Sequence, residues 1–382
     1  MTAFAIKGWC PSALRPMLSG DGLVVRLRPR GGRLAAKQAE GIAELSQRCG
    51  NGLIDLTGRA NLQIRGVREQ SHDALVTGLA RLGLVDDDQV MEAQRNIIVA
   101  PFWNEGDGTH ALTSELERAL AARPFGLPEK FGFAVDCGDE RVLAHAPADI
   151  RIERGADGGL IVRADGSHKG RVVSKAEAVE TALSLAEWFI ASDGAGNGRG
   201  RMAAHLARGA KQPEAFIGHA EPAASTSPDP GLYPSGALVG LAFGQMQGET
   251  LGDLAGLAPG LRLTPWRMIL IEGRRKMPQH EGLVTRADDP LLRVVACTGA
   301  PDCLEAQAET RKLAAALAPH IATDARLHVS GCAKGCAHPG ASDITLVGTP
   351  DGFDLVRDGS PRDVPERRGL TIADVRALVG AR

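Results

Sequence analysis

Four of the seven cysteines lie close together in the C-terminal part of the chain, in two pairs. The first pair has the spacing C-x5-C, the second has the spacing C-x3-C, and both lie in stretches that contain Gly or Pro. Two loops that each supply two thiolates can converge on one soft metal centre, and a [4Fe–4S] cluster needs four thiolates. Structural zinc is the weaker alternative, because its knuckles usually have tighter spacing. The predicted cluster ligands are Cys297, Cys303, Cys332 and Cys336.

The other three cysteines, Cys10, Cys49 and Cys137, belong to no motif and are expected to pack as small apolar residues. An odd number of cysteines spread over a long chain does not indicate a secreted disulfide scaffold. The sequence has no pattern typical of a signal peptide and no apolar stretch long enough to span a membrane. We therefore expect a reducing cytoplasm, where clustered cysteines bind metal or perform redox chemistry.

The composition is that of a soluble globular protein of several domains. The chain has 382 residues, 43% of them hydrophobic and 24% charged, which predicts two or three domains. Its net charge of −2 argues against a nucleic-acid partner. Basic residues are concentrated near the N-terminus, where a predicted strand over 23–30 places Arg26, Arg28 and Arg30 on one face and Val25 and Leu27 on the core face.

The second part of the chain repeats the first. Residues 261–273 resemble 53–66, and a threonine precedes a glycine by the same interval in both segments. A later match aligns 133–137 with 328–332. These repeats predict an α+β fold built from a duplicated unit, each copy a small half-domain followed by a larger α/β domain. The predicted parts are a first half-domain over 1–85, an α/β domain over 86–217, a linker over 218–237, a second half-domain over 238–290 and a cluster-bearing α/β domain over 291–382.

The chain resembles the sulfite and nitrite reductase family, whose enzymes couple a [4Fe–4S] cluster to sirohaem. The cysteine spacing is that family's cluster motif, and three basic elements occur in the family's order: Thr57-Gly-Arg59, Arg95-Asn96 and Lys130-Phe-Gly132. The resemblance implies ferredoxin-like half-domains related by a pseudo-twofold axis. It also implies that these basic residues surround a ligand on one face of a tetrapyrrole.

Two departures from the reductase pattern favour one branch of this family. The second lysine of the family's Lys-x-Lys element is Gly132 here, and Pro-Trp-Arg occupies 265–267 in the second half-domain. Both features resemble the branch that makes precorrin-3B in aerobic cobalamin biosynthesis. That resemblance implies a monooxygenase for which the tetrapyrrole, precorrin-3A, is the substrate. Oxygen from O2 would enter at C20, and the ring A acetate would close to a γ-lactone.

The cofactors and partners follow from the resemblance. It implies a [4Fe–4S] cluster and a mononuclear non-haem iron, for which the sequence identifies no ligands. NADH would be the formal electron donor, and its electrons would reach the chain through a separate reductase or ferredoxin. The alternative is a sirohaem-dependent assimilatory sulfite or nitrite reductase. A non-catalytic electron-transfer protein is disfavoured, because it needs no arginine-rich half-domain before its cluster. No nucleic-acid or membrane partner is expected.

Arginines suit a substrate with a rim of acetate and propionate arms, because guanidinium groups bind carboxylates through two hydrogen bonds. The alternating glycines over 193–200 are not expected to bind a dinucleotide, since they follow a predicted helix rather than a strand. The residues expected to act in catalysis are Arg59, Arg95 and Lys130. Those expected to bind the substrate are Arg26, Arg28, Gln63, Arg199, Arg201 and Arg267.

Overall fold

The structure, a computed structural model, describes residues 10–380. The first half-domain consists of short strands and two helices. Its second strand ends at Leu27, three residues earlier than predicted, because Pro29 has no N–H and a turn follows it. The elements are β1 (Met17–Ser19), β2 (Gly22–Leu27), β3 (Arg33–Ala35), α1 (Ala36–Cys49), β4 (Leu53–Leu56), β5 (Leu62–Val67) and α2 (His72–Arg81).

The first α/β domain follows directly. One of its helices begins at Thr109, where an Asp107 carboxylate oxygen accepts the Thr109 N–H at 2.7 Å. The elements are α3 (Gln89–Gln94), β6 (Ile97–Val99), α4 (Thr109–Ala122), β7 (Phe133–Asp136), β8 (Ile150–Arg154), β9 (Leu160–Ala164), β10 (Arg171–Val173), α5 (Lys175–Ala191) and α6 (Met202–Ala207).

The second half of the chain repeats most of these elements in the same order, but a strand, β16, follows β15 where helix α2 follows β5. Its half-domain comprises β11 (Gly231–Tyr233), β12 (Gly236–Leu241), β13 (Gln245–Gln247), α7 (Gly248–Ala255), β14 (Gly260–Leu263), β15 (Met268–Glu272) and β16 (Leu283–Val284). Its α/β domain comprises β17 (Val294–Ala296), α8 (Arg311–Leu317), β18 (Leu327–Ser330), β19 (Ser342–Thr349), β20 (Gly352–Gly359), β21 (Arg367–Leu370) and α9 (Ile372–Gly380).

The two half-domains exchange a strand. Sheet A has the order β1-β2-β5-β4-β13, and sheet B has the order β11-β12-β15-β14-β3. Each sheet therefore contains one strand of the other half, in corresponding positions, and sheet B has one further strand of its own, β16, which pairs with β12. The apolar faces of both sheets and helices α1, α2 and α7 enclose one core, in which Leu27, Ile42, Ile64, Leu251 and Ile269 are fully buried.

The two α/β domains also have the same topology. Sheet C runs β10-β9-β8-β7-β6 and sheet D runs β17-β18-β19-β20-β21. In each, the first three strands in sequence are parallel and the last two are antiparallel. The predicted fold class, an α+β fold with a duplicated unit, is confirmed.

The strand register corrects the second sequence match by one residue. Phe133 lies opposite Ile97, and Leu327 lies opposite Val294. Phe133 therefore corresponds to Leu327, and Cys137 corresponds to Gly331 rather than to Cys332. The short matching segments could slide by one position because all of their strand residues are buried, which leaves no polar alternation to fix the alignment.

The segment predicted as a linker, 218–237, is partly ordered. It makes isolated bridges to the first α/β domain at Ala220, Pro222 and Ser225. Its last residues form β11 and the start of β12. The domain boundaries themselves stay a prediction. Within residues 10–380, every helix is too short or too polar to cross a lipid bilayer.

Candidate functional site

One face of sheet A is polar, and we call it the arginine face. It carries Arg26, Gln63, Asp55 and Arg65. Arg26 lies opposite Gln63, and Gln63 lies opposite Asp55, so these side chains emerge on the same side of neighbouring strands. The alternate residues of the same strands point into the core. The predicted alternation of the N-terminal strand is therefore present.

Two arginines at this face hold donors with no partner. The Nε atoms of Arg26 and Arg28 are buried and make no hydrogen bond. Arg28 is 6% exposed, and its Nη1 lies 3.4 Å from a carboxylate oxygen of Glu92. Burial, with Arg26 as a second cause, lowers the pKa of Arg28 to about 10, so the group stays charged at neutral pH. Buried donors without partners are costly, which favours an anionic ligand at this position.

Arg59 is placed by the turn that follows β4. The Thr57 hydroxyl accepts the N–H groups of Arg59 and Asn61, both at 3.3 Å, and Ala60 has a φ of 54°. The Arg59 side chain donates to the Pro147 carbonyl at 3.1 Å. Burial and the neighbouring Arg201 lower the pKa of Arg59 to about 10. The turn thus brings Arg59 to the first α/β domain.

Arg201 is anchored beside Arg59 by a buried carboxylate. Its Nε donates to both oxygens of Asp149, at 2.8 and 3.0 Å, and Asp149 is fully buried. The same carboxylate accepts the N–H of Gly132 at 2.9 Å and that of Met202 at 2.8 Å. The Arg201 side chain is still 34% exposed, so its remaining donors are accessible to a ligand.

Gly132 occupies a position with no space for a side chain. A Cβ atom there would lie 2.8 Å from the Asn96 carbonyl oxygen and 2.9 Å from the Asn96 amide nitrogen. Gly132, which stands where the family has its second lysine, therefore packs closely against Asn96. Lys130, two residues earlier, is exposed.

The structure separates the remaining predicted residues from this group. Arg199 is exposed on the loop between α5 and α6, and the glycines of that loop follow a helix as predicted. Arg95 is 7% exposed and forms a two-point ion pair with Asp86, with distances of 3.1 and 2.6 Å. Its Nη1 also donates to the Arg28 carbonyl at 2.7 Å. Arg95 thus braces the strand end that carries Arg28.

The four motif cysteines lie on two loops at one edge of sheet D. Cys297 directly follows β17, and Cys332 lies two residues after β18, the parallel neighbour of β17. The N–H of Gly331 points to the Cys297 sulfur at 3.1 Å. Burial raises the pKa of Cys332, and the nearby Cys297 and Cys303 thiols raise it further. All four thiols are free.

The backbone of the cysteine loops has two features that are compatible with a bound metal centre. The Gly331 N–H contacts the Cys297 sulfur, and contacts of this kind tune the potential of iron–sulfur centres in proteins that hold one. Gly299 has a φ of 74°, and a Cβ there would lie 2.6 Å from the Thr310 hydroxyl, so the loop needs glycine. Within residues 10–380, His, Cys, Asp and Glu side chains nowhere form a group of three that could hold one metal ion. The two loops carry the four free thiols that the sequence predicts as ligands.

Three residues connect the arginine face to the cysteine loops. Arg267 donates to the Ala337 carbonyl, next to Cys336, at 3.0 Å. Burial is the main cause that lowers the pKa of Arg267, and the neighbouring Arg311 lowers it further. Arg311 in turn contacts Asp55 at 3.2 Å. The arginine face and the cysteine loops therefore adjoin each other.

Sequence reasoning missed several of these residues. Asp55 and Arg311 belong to no motif; the only available signal was the polar position of Asp55 in an otherwise apolar strand. His328 was also missed. It is fully buried, neither ring nitrogen has a partner, and burial followed by the nearby His338 lowers its pKa to about 4.

The corresponding face of sheet B is filled. Leu238 and Leu270 occupy the positions that correspond to Arg26 and Gln63, and Trp266 occupies that of Arg59. Phe102, Tyr233 and Leu292 pack against Leu238 and Leu270. The arginine face is thus particular to one half of the duplicated fold.

Comparisons with known proteins agree with this geometry. The family described as the nitrite/sulfite reductase ferredoxin-like half domain matches residues 15–82. A precorrin-3B synthase of Sinorhizobium sp. is 28% identical, and the match covers 94% of this chain and 84% of that protein. A ferredoxin–nitrite reductase of Synechococcus elongatus is 26% identical over 89% of this chain and 78% of that protein.

The solved structure of the Mycobacterium tuberculosis NirA protein has the same fold. Its TM-score is 0.64 at 18% identity, and the match covers 94% of this chain and 81% of that one. The resemblance inferred from the cysteine and arginine motifs, to precorrin-3B synthase and to the sulfite and nitrite reductases, is therefore confirmed. The curated relatives are enzymes, and the chain is similar to them over most of its length.

Proposed function

We propose that this chain is a cytoplasmic precorrin-3B synthase, an oxidoreductase that acts on the tetrapyrrole polycarboxylate precorrin-3A. The observation that carries the proposal is the position of the arginine face directly beside the cysteine loops. A charged, partly unsatisfied surface next to a four-thiolate centre suits a redox reaction on a multiply anionic ligand. The similarity to the Sinorhizobium enzyme supports the same substrate.

The chain's own residues bind the substrate by its rim. Arg26 and Arg28 hold buried Nε donors without partners, which a carboxylate of the substrate would satisfy. Gln63, opposite Arg26, adds an amide to the same surface. Arg59 and Arg201 bind further arms at the boundary with the first α/β domain. Arg199 and Lys130, both exposed, contact arms that extend toward solvent.

Four basic residues have separate proposed roles near the reacting centre. Arg59, fixed by the Thr57 turn, and Lys130 position the O2-derived oxygen or the acetate that closes the lactone. Arg95 acts as a brace for the Arg28 backbone and not as a group that touches the substrate. Arg267 lies at the cysteine loops, where its charge faces both the substrate site and the cluster site.

Cys297, Cys303, Cys332 and Cys336 would hold the [4Fe–4S] cluster. When bound, the cluster supplies one-electron transfers from the external donor. In the proposed overall reaction, one atom of O2 enters at C20 and the other leaves as water. NADH supplies the two electrons through a reductase or ferredoxin, and the ring A acetate closes to the γ-lactone. A mononuclear non-haem iron belongs to the same proposal, without assigned ligands.

A sirohaem-dependent sulfite or nitrite reductase is the second candidate, supported by the nitrite reductase relatives. Gly132 argues against it. Reduction of a small anion by six electrons needs several cations for charge neutralisation and proton supply. The tight contact of Gly132 with Asn96 leaves no space for a lysine there without a backbone shift.

The decisive test is a comparison of substrates on the protein purified without oxygen. Iron, sulfide and extractable tetrapyrrole are quantified first. Precorrin-3A is then supplied with ¹⁸O2, NADH and a reductase, and sulfite and nitrite are supplied in parallel. We expect a cluster, no stoichiometric sirohaem and one ¹⁸O atom in the product. Stoichiometric sirohaem with turnover of sulfite or nitrite and no labelled product would overturn the proposal in favour of the second candidate.

A further inference from the structure

The carbonyl group before Cys303 is held by the first half-domain, and its main charged partner is Arg65. We propose that Arg65 is a positioning residue for the cluster and acts through the backbone of Asp302. The inference rests on the [4Fe–4S] cluster proposed above. It assigns a function to a buried arginine that lies on the arginine face but does not point an unsatisfied donor to the substrate site.

Three donors converge on the Asp302 carbonyl oxygen. The Ser19 hydroxyl donates at 2.7 Å, the Gly20 N–H at 3.1 Å and Arg65 Nη2 at 3.1 Å. All three belong to the first half-domain, while Asp302 directly precedes the ligand Cys303. A carbonyl oxygen has two lone pairs, so three donors including a charged one give an unusually firm attachment.

Arg65 itself is immobilised by carboxylates. Its Nε and Nη2 bind the two oxygens of Asp21 at 3.0 and 2.8 Å, and Asp55 lies 3.8 Å from its Nε. The residue is 6% exposed. A guanidinium held by two bonds to one carboxylate has a fixed direction, so its third contact fixes the position of the Asp302 carbonyl.

The turn between β1 and β2 approaches the cysteine loop too closely for any side chain at Gly20. A Cβ there would lie 2.2 Å from the Pro301 carbonyl oxygen and 2.9 Å from the Asp302 carbonyl carbon. The backbone at Gly20 therefore packs directly against the backbone of Pro301 and Asp302, and Arg65 binds the Asp302 carbonyl beside this contact. This close packing distinguishes it from a chance surface contact.

The other cysteine loop also has an arginine contact. There Arg267 Nη2 donates to the Ala337 carbonyl at 3.0 Å, next to Cys336. Each loop is thus tied to a half-domain through an arginine and a carbonyl adjacent to a ligand. Because three donors hold the Asp302 carbonyl, we infer that they set the position of the adjacent ligand Cys303. Groups that orient metal ligands commonly change metal affinity by roughly 10–100-fold when removed.

The test uses the full chain with its cluster reconstituted anaerobically. Ser19→Ala, Arg65→Lys and Arg65→Met remove the donors in graded steps. Arg163→Met is the matched control, because Arg163 is also buried, binds Glu153 at 2.6 Å and donates to the Ser167 carbonyl at 2.7 Å, all within the first α/β domain. The measurements are the rate of iron loss to a chelator, the EPR spectrum of the reduced cluster and its midpoint potential.

We expect Arg65→Met to lose iron roughly 10–100-fold faster than the parent, with Ser19→Ala and Arg65→Lys in between. The EPR spectrum and potential should shift in the same order, while Arg163→Met keeps the parent values. Ser19→Ala loses only one hydroxyl, so it keeps the test valid if Arg65→Met does not fold.

Two results would overturn the inference in different ways. If the parent takes up a cluster and the three variants retain it like Arg163→Met, with unchanged spectra, Arg65 and Ser19 do not position the ligand. If the parent takes up no cluster, the proposed function fails and this inference fails with it.

Discussion

Sheets A and B have corresponding strand orders. The faces that lie away from their shared core differ, because one carries charged and polar side chains at positions where the other carries apolar ones. The turns after β4 and β14 are alike: Thr57 and Thr264 each cap two following N–H groups, and Ala60 and Arg267 have φ values of 54° and 62°. Yet Arg26 and Gln63 in sheet A correspond to Leu238 and Leu270 in sheet B. The strands and turns are therefore duplicated, whereas the arginine face is present in sheet A alone of the two sheets.

The ion pairs of the two faces are also reversed. Asp55 and Arg65 in sheet A correspond to Arg262 and Glu272 in sheet B. Glu272 accepts from both Arg33 and Arg262, each at 2.8 Å, and Arg262 stacks on Trp103 at 3.6 Å. In sheet B the charges satisfy each other, whereas in sheet A donors remain unsatisfied. The unpaired donors of sheet A belong to Arg26 and Arg28, and sheet B has Leu238 at the Arg26 position, so the site arises from added arginines and not from the reversed ion pairs.

The largest expected effect concerns the cysteines of the two α/β domains. Cys303→Ser should abolish the cluster and its EPR signal together with activity, because the cubane loses one of four thiolates. Cys137→Ser, in the other α/β domain, should keep the cluster, although a hydroxyl replaces a fully buried thiol. Iron and sulfide analysis of both variants checks the pair. Full cluster content in Cys303→Ser would mean that the ligands are misassigned.

The next effect separates Arg59 from its counterpart Trp266. Arg59→Met should weaken binding of the tetrapyrrole roughly 10–100-fold, since a charged hydrogen bond is lost. Trp266→Phe should leave binding unchanged and lower the free energy of unfolding by about 1 kcal/mol, because the half-buried ring packs against Leu238 and Leu270. Ligand titration and urea denaturation distinguish the two. Equal binding losses in both variants would show that the second face also contacts the ligand.

A pH dependence is expected at Asp136, which ends β7 where Ser330 ends β18. One carboxylate oxygen accepts the N–H groups of Val142 and Leu143, and the other has no partner. Burial raises the pKa of Asp136 to about 6. The folded state therefore holds this proton more tightly than the unfolded state, so the stabilisation by protonated Asp136 is lost as the pH rises from about 4 to above 6.

Asp136→Asn removes this titration. We expect the variant to gain about 2 kcal/mol in unfolding free energy over the parent between pH 4 and pH 7, a difference that stays constant at higher pH. Urea denaturation of both proteins at several pH values measures it. A difference that does not vary with pH would contradict the assignment.

The smallest expected effect makes sheet A resemble sheet B. Arg26→Leu gives sheet A the residue type that sheet B has at the corresponding position, Leu238. It also removes a buried donor that has no partner. In the ligand-free protein we expect a gain of about 1 kcal/mol in unfolding free energy, together with weaker tetrapyrrole binding. The reciprocal variant Leu238→Arg should destabilise the protein. A loss of stability in Arg26→Leu would show that the charge is already satisfied without ligand.

The sequence predicted those parts of the molecule that depend on short spacing. The cysteine pairs, the Thr57-Gly-Arg59 element and the duplication were all visible in short segments of the sequence. The strand exchange was not visible, because β3 and β13 have three residues each and no distinctive pattern. Strand register was also lost by one position, since buried strands show no alternation.

The roles of individual arginines depended on partners that are distant in sequence. Arg95 looked like an active-site residue, but Asp86 lies within hydrogen-bond distance and binds it. Arg65 contacts Asp302 across more than 200 residues. No local sequence pattern distinguishes an arginine that is ion-paired from one that has an unpaired N–H donor. Which of Arg26, Arg28 and Arg59 bind the substrate therefore remains a prediction for the variants above.

The exchange of β3 and β13 has a consequence for how the chain folds. Each half-domain sheet is completed by a strand from the other half, with Leu34 opposite Leu261 and Met246 opposite Ile54. These contacts close loops of roughly 200 residues, and contacts between residues far apart in sequence slow folding. A ribosome-bound N-terminal half would expose the β4 edge until β13 emerges, so the two halves should acquire their stability together, late in synthesis.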